Sequence, residues 1–511
     1  MQADAFQRRS VVLTVGDLPI PAAIADGPVE DQPEGLILPR GPVTLLHPFG
    51  TTRFFRHGWH SWSPTGWVDL GKIPVPVQPE YRRPMADDPL YATSPRHTGS
   101  GLGALRAPDG RVLLLGALDL GARVEADADT LRGFYEPPAA TSRPSARSGG
   151  WFLGFGEERT VFSAYAGLLA RELGKRKPSR APRVWCSWYS FYRAISQEAL
   201  LEVLSQVREL PFDVFQVDDG WQRGLGDWEA NDRFPSGMEA LAERISAAGL
   251  QPGLWLCPFI VGPKTRLFQD HPEWLLRDST GQPVKAGHNW GDFYYCLDTT
   301  LPDVQEWLVG LVRRVTGWGY RYLKLDFLYA AAMPGKRYRP VHREEAYREA
   351  LQIVRDAAGD AYILACGAPI FSSLGLADGL RVGPDVAPFW DNDDRSELLH
   401  DRSGPGARNA IYSTLHRLWL RELVHTDPDV VYFRTRYNLL TTTEKEYLKA
   451  LALITGFKAT SDPPAWLDPE ERTALETFLT AEPTVTQSGP YRFRIDGQDV
   501  DFSAVVESVD G

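Results

Sequence analysis

The chain has 511 residues, more than one ordinary domain accommodates, so two or three domains are expected. Hydrophobic residues make up 43% and charged residues 24%, the profile of a globular protein in water. With 66 acidic and 55 basic residues the net charge is -11, which argues against nucleic acid or anionic membrane as the main partner. Trp is abundant, at 16 residues; such rings pack against the apolar faces of sugars and equally fill cores, so their number leaves both open. Residues 1–10 carry charge and no apolar run, so no signal peptide is expected, and no stretch of about twenty apolar residues is present to span a membrane. Cys186, Cys257, Cys296 and Cys366 lie far apart beside apolar stretches, without the close spacing of a zinc site, and read as reduced, buried thiols of a cytoplasmic protein.

Residues 1–160 read as all-β. Short apolar runs at 11–15, 36–38, 43–46, 112–115 and 151–155 are separated by Gly, Pro and Asp, as in a β-sandwich. Within them, Arg56-His57-Gly58-Trp59-His60-Ser61-Trp62-Ser63-Pro64 reads either as a functional loop or as Trp side chains plugging the sandwich. Residues 161–173 have helical spacing, and the basic, Pro-containing stretch 174–182 reads as a linker.

From residue 183 strands and helices alternate. Strands are expected at 184–189, 214–219, 254–259, 320–327, 362–366, 380–385, 430–433 and 454–460. Helices are expected at 197–207, where Ser196 is a good N-cap, and at 238–248, 304–316, 343–357, 409–424 and 444–453. The pattern predicts an α/β fold, a (β/α)8 TIM barrel. The alternative is an open doubly wound sheet, which the absence of a glycine-rich phosphate fingerprint after the first strand disfavours. A helix at 471–479 and an alternating segment at 491–505, with a turn at Asp496-Gly497, follow. The expected division is an N-terminal β-sandwich (1–160), a helical linker (161–182), a catalytic barrel (183–465) and a small C-terminal β domain (466–511).

Polar residues gather at the carboxyl ends of the predicted strands, where α/β barrels carry their chemistry. Strand one carries Trp188 and Tyr189, strand two ends in Asp218-Asp219, strand three carries Trp255, strand five ends in Cys366-Gly367, and strand six runs from Arg381 to Asp385. On strand four Lys324 and Asp326 share a face, so the ammonium is expected to favour an ionised Asp326. Taken singly these are an ion pair, turn formers and helix caps; only their joint placement at one mouth points to a pocket for a neutral, hydroxyl-rich ligand. Glycoside hydrolysis needs one ionised carboxylate and one protonated carboxyl. Asp326 suits the first. Asp385, followed by Val386, Ala387, Pro388, Phe389 and Trp390, is expected to be desolvated and so to hold a proton. Asp391-Asn392-Asp393-Asp394 lacks the spacing and distal Glu of a calcium loop and reads as a solvated loop, and no His pair has zinc-helix spacing, so no metal is expected.

At this point the sequence resembles the α-galactosidases of glycoside hydrolase family 36, particularly the short bacterial members, over nearly its whole length. The markers are Trp185-Cys186-Ser187-Trp188-Tyr189, Phe215-Gln216-Val217-Asp218-Asp219, Gly253-Leu254-Trp255, Tyr320-Arg321-Tyr322-Leu323-Lys324-Leu325-Asp326-Phe327-Leu328, Cys366-Gly367, Arg381-Val382-Gly383-Pro384-Asp385 with Ala387-Pro388-Phe389-Trp390, and Trp59-His60-Ser61-Trp62-Ser63-Pro64. The resemblance implies a β-sandwich, a catalytic barrel and a small C-terminal β domain. It implies Asp326 as nucleophile and Asp385 as acid/base. It places Trp188, Tyr189, Asp218, Asp219, Trp255, Lys324, Cys366, Gly367 and Arg381 in the substrate pocket, with Trp62 reaching over from the first domain. His60 departs from the family, whose members often carry Gln there. The implied activity is retaining exo-hydrolysis of α-galactosides such as melibiose and raffinose, with no cofactor and no metal, and a homo-oligomer is left open. Alternatives are an α-N-acetylgalactosaminidase or a galactosyl-transferring relative; more remotely, a Lys324 Schiff-base aldolase or an inert sugar-binding protein.

Overall fold

The computed structural model describes residues 8–137 and 149–510. The first seven residues, part of the stretch read for a signal peptide, lie outside that range. No helix among the described residues is long and apolar enough to cross a membrane.

The N-terminal part folds into two antiparallel sheets of six and seven strands. Strand Val112–Ala117 is buried along its whole length, because one face meets the opposite sheet and the other the helix Glu158–Glu172. Glu157 caps that helix by accepting from the Thr160 amide. Residues 174–182 then run without regular structure into the barrel.

The barrel strands are Val184–Cys186, Val214–Val217, Gln251–Leu256, Tyr322–Leu325, Tyr362–Ala365, Gly379–Arg381, His425–Asp427 and Ala459–Thr460. Their spatial order is seven-six-five-four-three-two-one-eight, and every neighbouring pair is parallel. The curled sheet is that of a (β/α)8 TIM barrel. Strands seven and eight do not pair directly; the Val431 amide donates to the Ala459 carbonyl (2.8 Å) and spans the seam.

All but strand three, which is shifted to Gln251–Leu256, are shorter than expected, and the residues beyond the strands form the mouth. Trp188 and Tyr189 sit in a helical turn, Trp188–Phe191, rather than on strand one. Strand seven is His425–Asp427, not residues 430–433. Its polar side chains are paired internally, His425 with the Tyr362 hydroxyl (3.0 Å) and Asp427 with Arg381 (2.9 Å), so no apolar pattern marks it. The helix expected over 409–424 ends at His416 and resumes as a 3₁₀ helix, Leu418–Glu422, because the intervening Arg417 turns inward. A three-stranded sheet that the sequence reading lacked, Ile260–Val261, Lys285–Asn289 and Asp292–Cys296, follows strand three. At the carboxyl end come helix Pro469–Thr480, a three-stranded sheet turning at Asp496-Gly497, and helix Ser503–Asp510.

Residues 57–64 form a loop that leaves the sandwich and docks on the barrel. The Ser61 amide donates to the Ala368 carbonyl (3.1 Å), and the Ile370 amide to the Trp59 carbonyl (3.1 Å). The Trp59 indole donates to Glu344 (3.1 Å), which belongs to a buried cluster with Arg123, Asp88, Glu136 and Arg343. The fully buried Arg417 guanidinium donates to the carbonyls of Ser61 (2.6 Å), Val382 (2.8 Å), His60 (2.9 Å) and Gly58 (3.1 Å).

Two outcomes are expected. Arg417→Ala strips a donor from four buried carbonyls and should destabilise the protein by about 3 kcal/mol or more, read as a lowered denaturation midpoint; a shift within error would show that the loop is held elsewhere. His60 is buried beside Arg417, and burial, reinforced by that charge, lowers its pKa from 6.5 to about 3. The folded state therefore disfavours its protonation, so stability is full above about pH 6.5 and falls as pH drops towards 3. His60→Gln should flatten that loss between those limits; an unchanged pH slope of the melting temperature would contradict it.

Candidate active site

The strand ends bring the predicted residues into one hydrogen-bonded cluster at the mouth of the barrel. Asp326 follows strand four directly, and its amide donates to the Leu256 carbonyl of strand three (2.8 Å). Its carboxylate accepts the Trp255 indole N–H (3.0 Å) and the Phe327 amide (2.9 Å). Phe327 takes a left-handed φ of 53°, which turns the chain sharply out of the strand.

The expected pairing of Lys324 with Asp326 is not what forms. The Lys324 ammonium bonds Asp218 across the barrel (2.9 Å). Side chains two apart on a strand share a face, but the barrel interior puts the strand-two carboxylate closer to the Lys324 tip. Burial alone would lower the Lys324 pKa; Asp218 overrides it and holds the group well above its usual value. Asp326 is raised above the ordinary carboxylate value by burial. Lys324 opposes that rise, Asp385 adds to it, and hydrogen bonds from Trp255 and Cys366 again oppose it.

Asp218 is occupied on both oxygens, by Lys324, Gln216 (2.6 Å) and the Cys186 thiol on one and the Asp219 amide (2.9 Å) on the other. Asp219 accepts Gln222 (2.6 Å) and, from the unforeseen sheet, the Trp290 indole N–H (2.7 Å). Burial raises the Asp219 pKa against those two donors. Trp290 occupies the hairpin turn between Asn289 and Gly291 and packs on Trp255, Tyr294 and Phe327. The aromatic alternation after an Asn-Trp-Gly turn was a readable hairpin signal.

Asp385 is not desolvated as its apolar successors suggested. Its side chain is 33% exposed, and it pairs with Arg381 (3.0 Å), because the chain turns inward only after it, at Val386. Arg381 also binds Asp427 (2.9 Å) and Asp429 (2.8 Å), two carboxylates that sequence reasoning missed in His425-Thr426-Asp427-Pro428-Asp429. Tyr189 donates its hydroxyl to Asp429. Trp188 is half-buried and stands edge-on to Tyr192 at 5.3 Å.

Trp62 does reach the cluster. Its ring lies 5.0 Å from that of Phe327, and its tip packs on Gly367, where a Cβ would lie 2.9 Å from the indole. Gly367, with φ of 54°, therefore has two reasons to be glycine. His60 stacks on Tyr329 (5.0 Å) and accepts the Trp62 amide (3.2 Å). Asp391 is no solvated residue: it accepts Arg408, Ser396 (2.8 Å) and Asn409 (3.0 Å) and so staples its own loop. Among the described residues no group of three His, Cys, Asp or Glu is arranged to hold a metal. The mouth thus presents carboxylates, a guanidinium and indole N–H groups, suited to a neutral polyhydroxylated ligand.

Known proteins share this arrangement of the chain. The Melibiase family profile matches residues 161–355. Among curated relatives, α-galactosidase AgaA of Geobacillus stearothermophilus is 29% identical over 215 residues, 39% of this chain and 28% of that protein. α-Galactosidase C of Emericella nidulans is 31% identical over 173 residues, 30% of this chain and 22% of that protein. The matched segments thus span less than a third of those relatives. Among solved structures, the α-galactosidase TtGalA of Thermus thermophilus in complex with p-nitrophenyl α-D-galactopyranoside is 54% identical, with 97% of this chain and 100% of that chain covered and a TM-score of 0.91. The crystal structure of AgaA shares the fold, at 14% identity over 90% of this chain and 65% of that one, with a TM-score of 0.55. The identity to TtGalA over essentially both full lengths, joined to the Melibiase match, shows that the chain belongs to the α-galactosidases of glycoside hydrolase family 36.

Proposed function

We propose that this protein is a retaining exo-α-galactosidase that removes terminal α-galactosyl residues from small oligosaccharides such as melibiose and raffinose. The observation that carries the reading is the meeting of Asp326 and Asp385 at one barrel mouth in unlike settings. Asp326 is buried and held by N–H donors, whereas Asp385 is part-exposed on Arg381. The Thermus thermophilus relative, solved with an aryl α-galactoside and with stachyose, supports the substrate class.

Asp326 is the nucleophile. It attacks the anomeric carbon while Asp385 protonates the departing glycosidic oxygen, giving a β-galactosyl ester on Asp326. Asp385 then takes a proton from water, which attacks the same carbon, and α-galactose leaves with Asp326 restored. With the ring bound, the two carboxyl groups are expected about 5–5.5 Å apart, the retaining separation. The Trp255 indole and the Phe327 amide fix the attacking oxygens. Asp219, Lys324, Arg381, Cys366 and Gly367 take the galactose hydroxyls, and Trp62, Trp188, Tyr189 and Trp290 wall the ring. Asp218 anchors Lys324 and, like Asp219, whose two oxygens also accept internal donors, takes part in holding the galactose hydroxyls. The tight seat of Trp62 on Gly367 favours a free 2-hydroxyl over an N-acetyl group. Lys324, ion-paired and held in its charged form, disfavours a Schiff-base aldolase. We read the sandwich (1–160) as the domain that supplies Trp62, 161–182 as a linker, 183–465 as the catalytic barrel and 466–511 as a small C-terminal domain. The four cysteines, all free and buried, fit a reducing compartment, and we place the protein in the cytoplasm.

Asp326→Ala should abolish turnover of melbiose-type and aryl α-galactosides alike, and external azide should restore aryl-substrate turnover as β-galactosyl azide. Asp385→Ala should lose about 10²–10⁴-fold on melibiose, much less on 2,4-dinitrophenyl α-galactoside, and give α-galactosyl azide. Turnover of melibiose by Asp326→Ala, or the same azide anomer from both variants, would remove these roles. Trp290→Phe deletes an N–H bound to a carboxylate and should raise KM about tenfold, with kcat nearly kept; an unchanged KM would take Trp290 out of the binding wall.

A further inference from the structure

Asp429 is a carboxylate for which the reaction as described has no task. It follows strand seven, is 1% exposed, and adopts a left-handed φ of 81°, uncommon for a residue other than glycine. The strained backbone is held by its amide, which donates to Asp427 (2.8 Å). One carboxylate oxygen accepts the Val386 amide (3.0 Å) and the Tyr189 hydroxyl. The other accepts the Val430 amide (2.9 Å) and pairs with Arg381 (2.8 Å). Val386 is the residue after Asp385, and Arg381 is the partner of the Asp385 carboxylate (3.0 Å). Asp429 therefore grips Asp385 from two sides, through the peptide that follows it and through the guanidinium that binds it.

We propose that Asp429 is a positioning residue for proton transfer, which through the Val386 amide, Arg381 and Tyr189 holds the Asp385 carboxyl on the leaving oxygen without itself touching substrate. The inference rests on the reading of Asp385 as acid/base. The groups that face Asp429 are Arg381 and Asp385 from strand six and its loop, Asp427 from strand seven, Lys324 from strand four, Tyr189 from the turn after strand one, and Tyr432. Burial raises the Asp429 pKa to about 7; Arg381 opposes the rise, and Asp385 and Asp427 add to it.

The test uses the full-length enzyme, Asp429→Asn and Tyr189→Phe, with phenyl and 2,4-dinitrophenyl α-galactosides. Asp429→Asn should lower kcat/KM for the phenyl substrate roughly 10²-fold, at the lower end of what general acid catalysis supplies, and leave the dinitrophenyl substrate nearly unchanged. The limb of its pH profile near neutrality should move. Tyr189→Phe, which deletes one of the links, should show the same leaving-group bias to a smaller degree. Equal losses on both substrates in a folded Asp429→Asn protein would overturn the proposal. If that variant does not fold, a Tyr189→Phe enzyme with the wild-type substrate ratio overturns it. Failure of the underlying reading shows separately, as an Asp385→Ala enzyme without leaving-group bias; the present inference fails alone when Asp385→Ala has that bias and these variants lack it.

Discussion

The site depends on keeping a crowd of carboxylates buried at one barrel mouth without an equal number of cations beside them. Unpaired, each would be forced to take up a proton or to leave the interior. Lys324 and Arg381 supply formal charge, one bound to Asp218 and the other shared by Asp385, Asp427 and Asp429. Arg193 lies 3.8 Å from Asp219, and the rest of the attraction comes from neutral donors: the indoles of Trp255 and Trp290, the amides of Gln216 and Gln222, the Tyr189 hydroxyl and backbone N–H groups. Such donors stabilise negative charge without cancelling it. The mouth stays acidic, which suits a neutral ligand rich in hydroxyls and a cationic transition state.

The wall of that mouth is completed from outside the barrel, and its fixation is again electrostatic. Trp62 rides on a sandwich loop whose backbone carbonyls converge on Arg417, while Trp59, three residues earlier in the same loop, hangs on Glu344. Glu344 opens a barrel helix and is bonded to Arg123 of the sandwich. Buried ion pairs of this kind fix register more surely than they add stability. Here the register they fix is the seat of Trp62 on Gly367, so the first β layers act as part of the pocket rather than as an appendage.

Much of this was legible from residue patterns. The helix Gln197–Val207 follows from Ser196 and an amphipathic period, and the apolar strands of the barrel from their composition. Legibility failed where polar groups are satisfied internally. Strand seven, His-Thr-Asp, reads as a loop because its pairing partners, Tyr362 and Arg381, come from other strands. Lys324 and Asp326 look like a pair in one dimension, yet the ammonium bonds Asp218, which the barrel brings in from strand two. Asp385 precedes an apolar run but stays part-exposed, since local composition does not determine which way a turn faces. Trp290 arrives on an insertion between barrel units, where the strand-helix rhythm carries no information, although its own hairpin turn was visible.

The central claim is double displacement by Asp326 and Asp385 on an α-galactoside, and the most direct measurement is a proton NMR time course of an aryl α-galactoside hydrolysis, read before mutarotation sets in. The account predicts that α-galactose appears first and β-galactose only later, by equilibration. β-Galactose as the first product would mean single displacement by water, and would contradict a covalent role for Asp326.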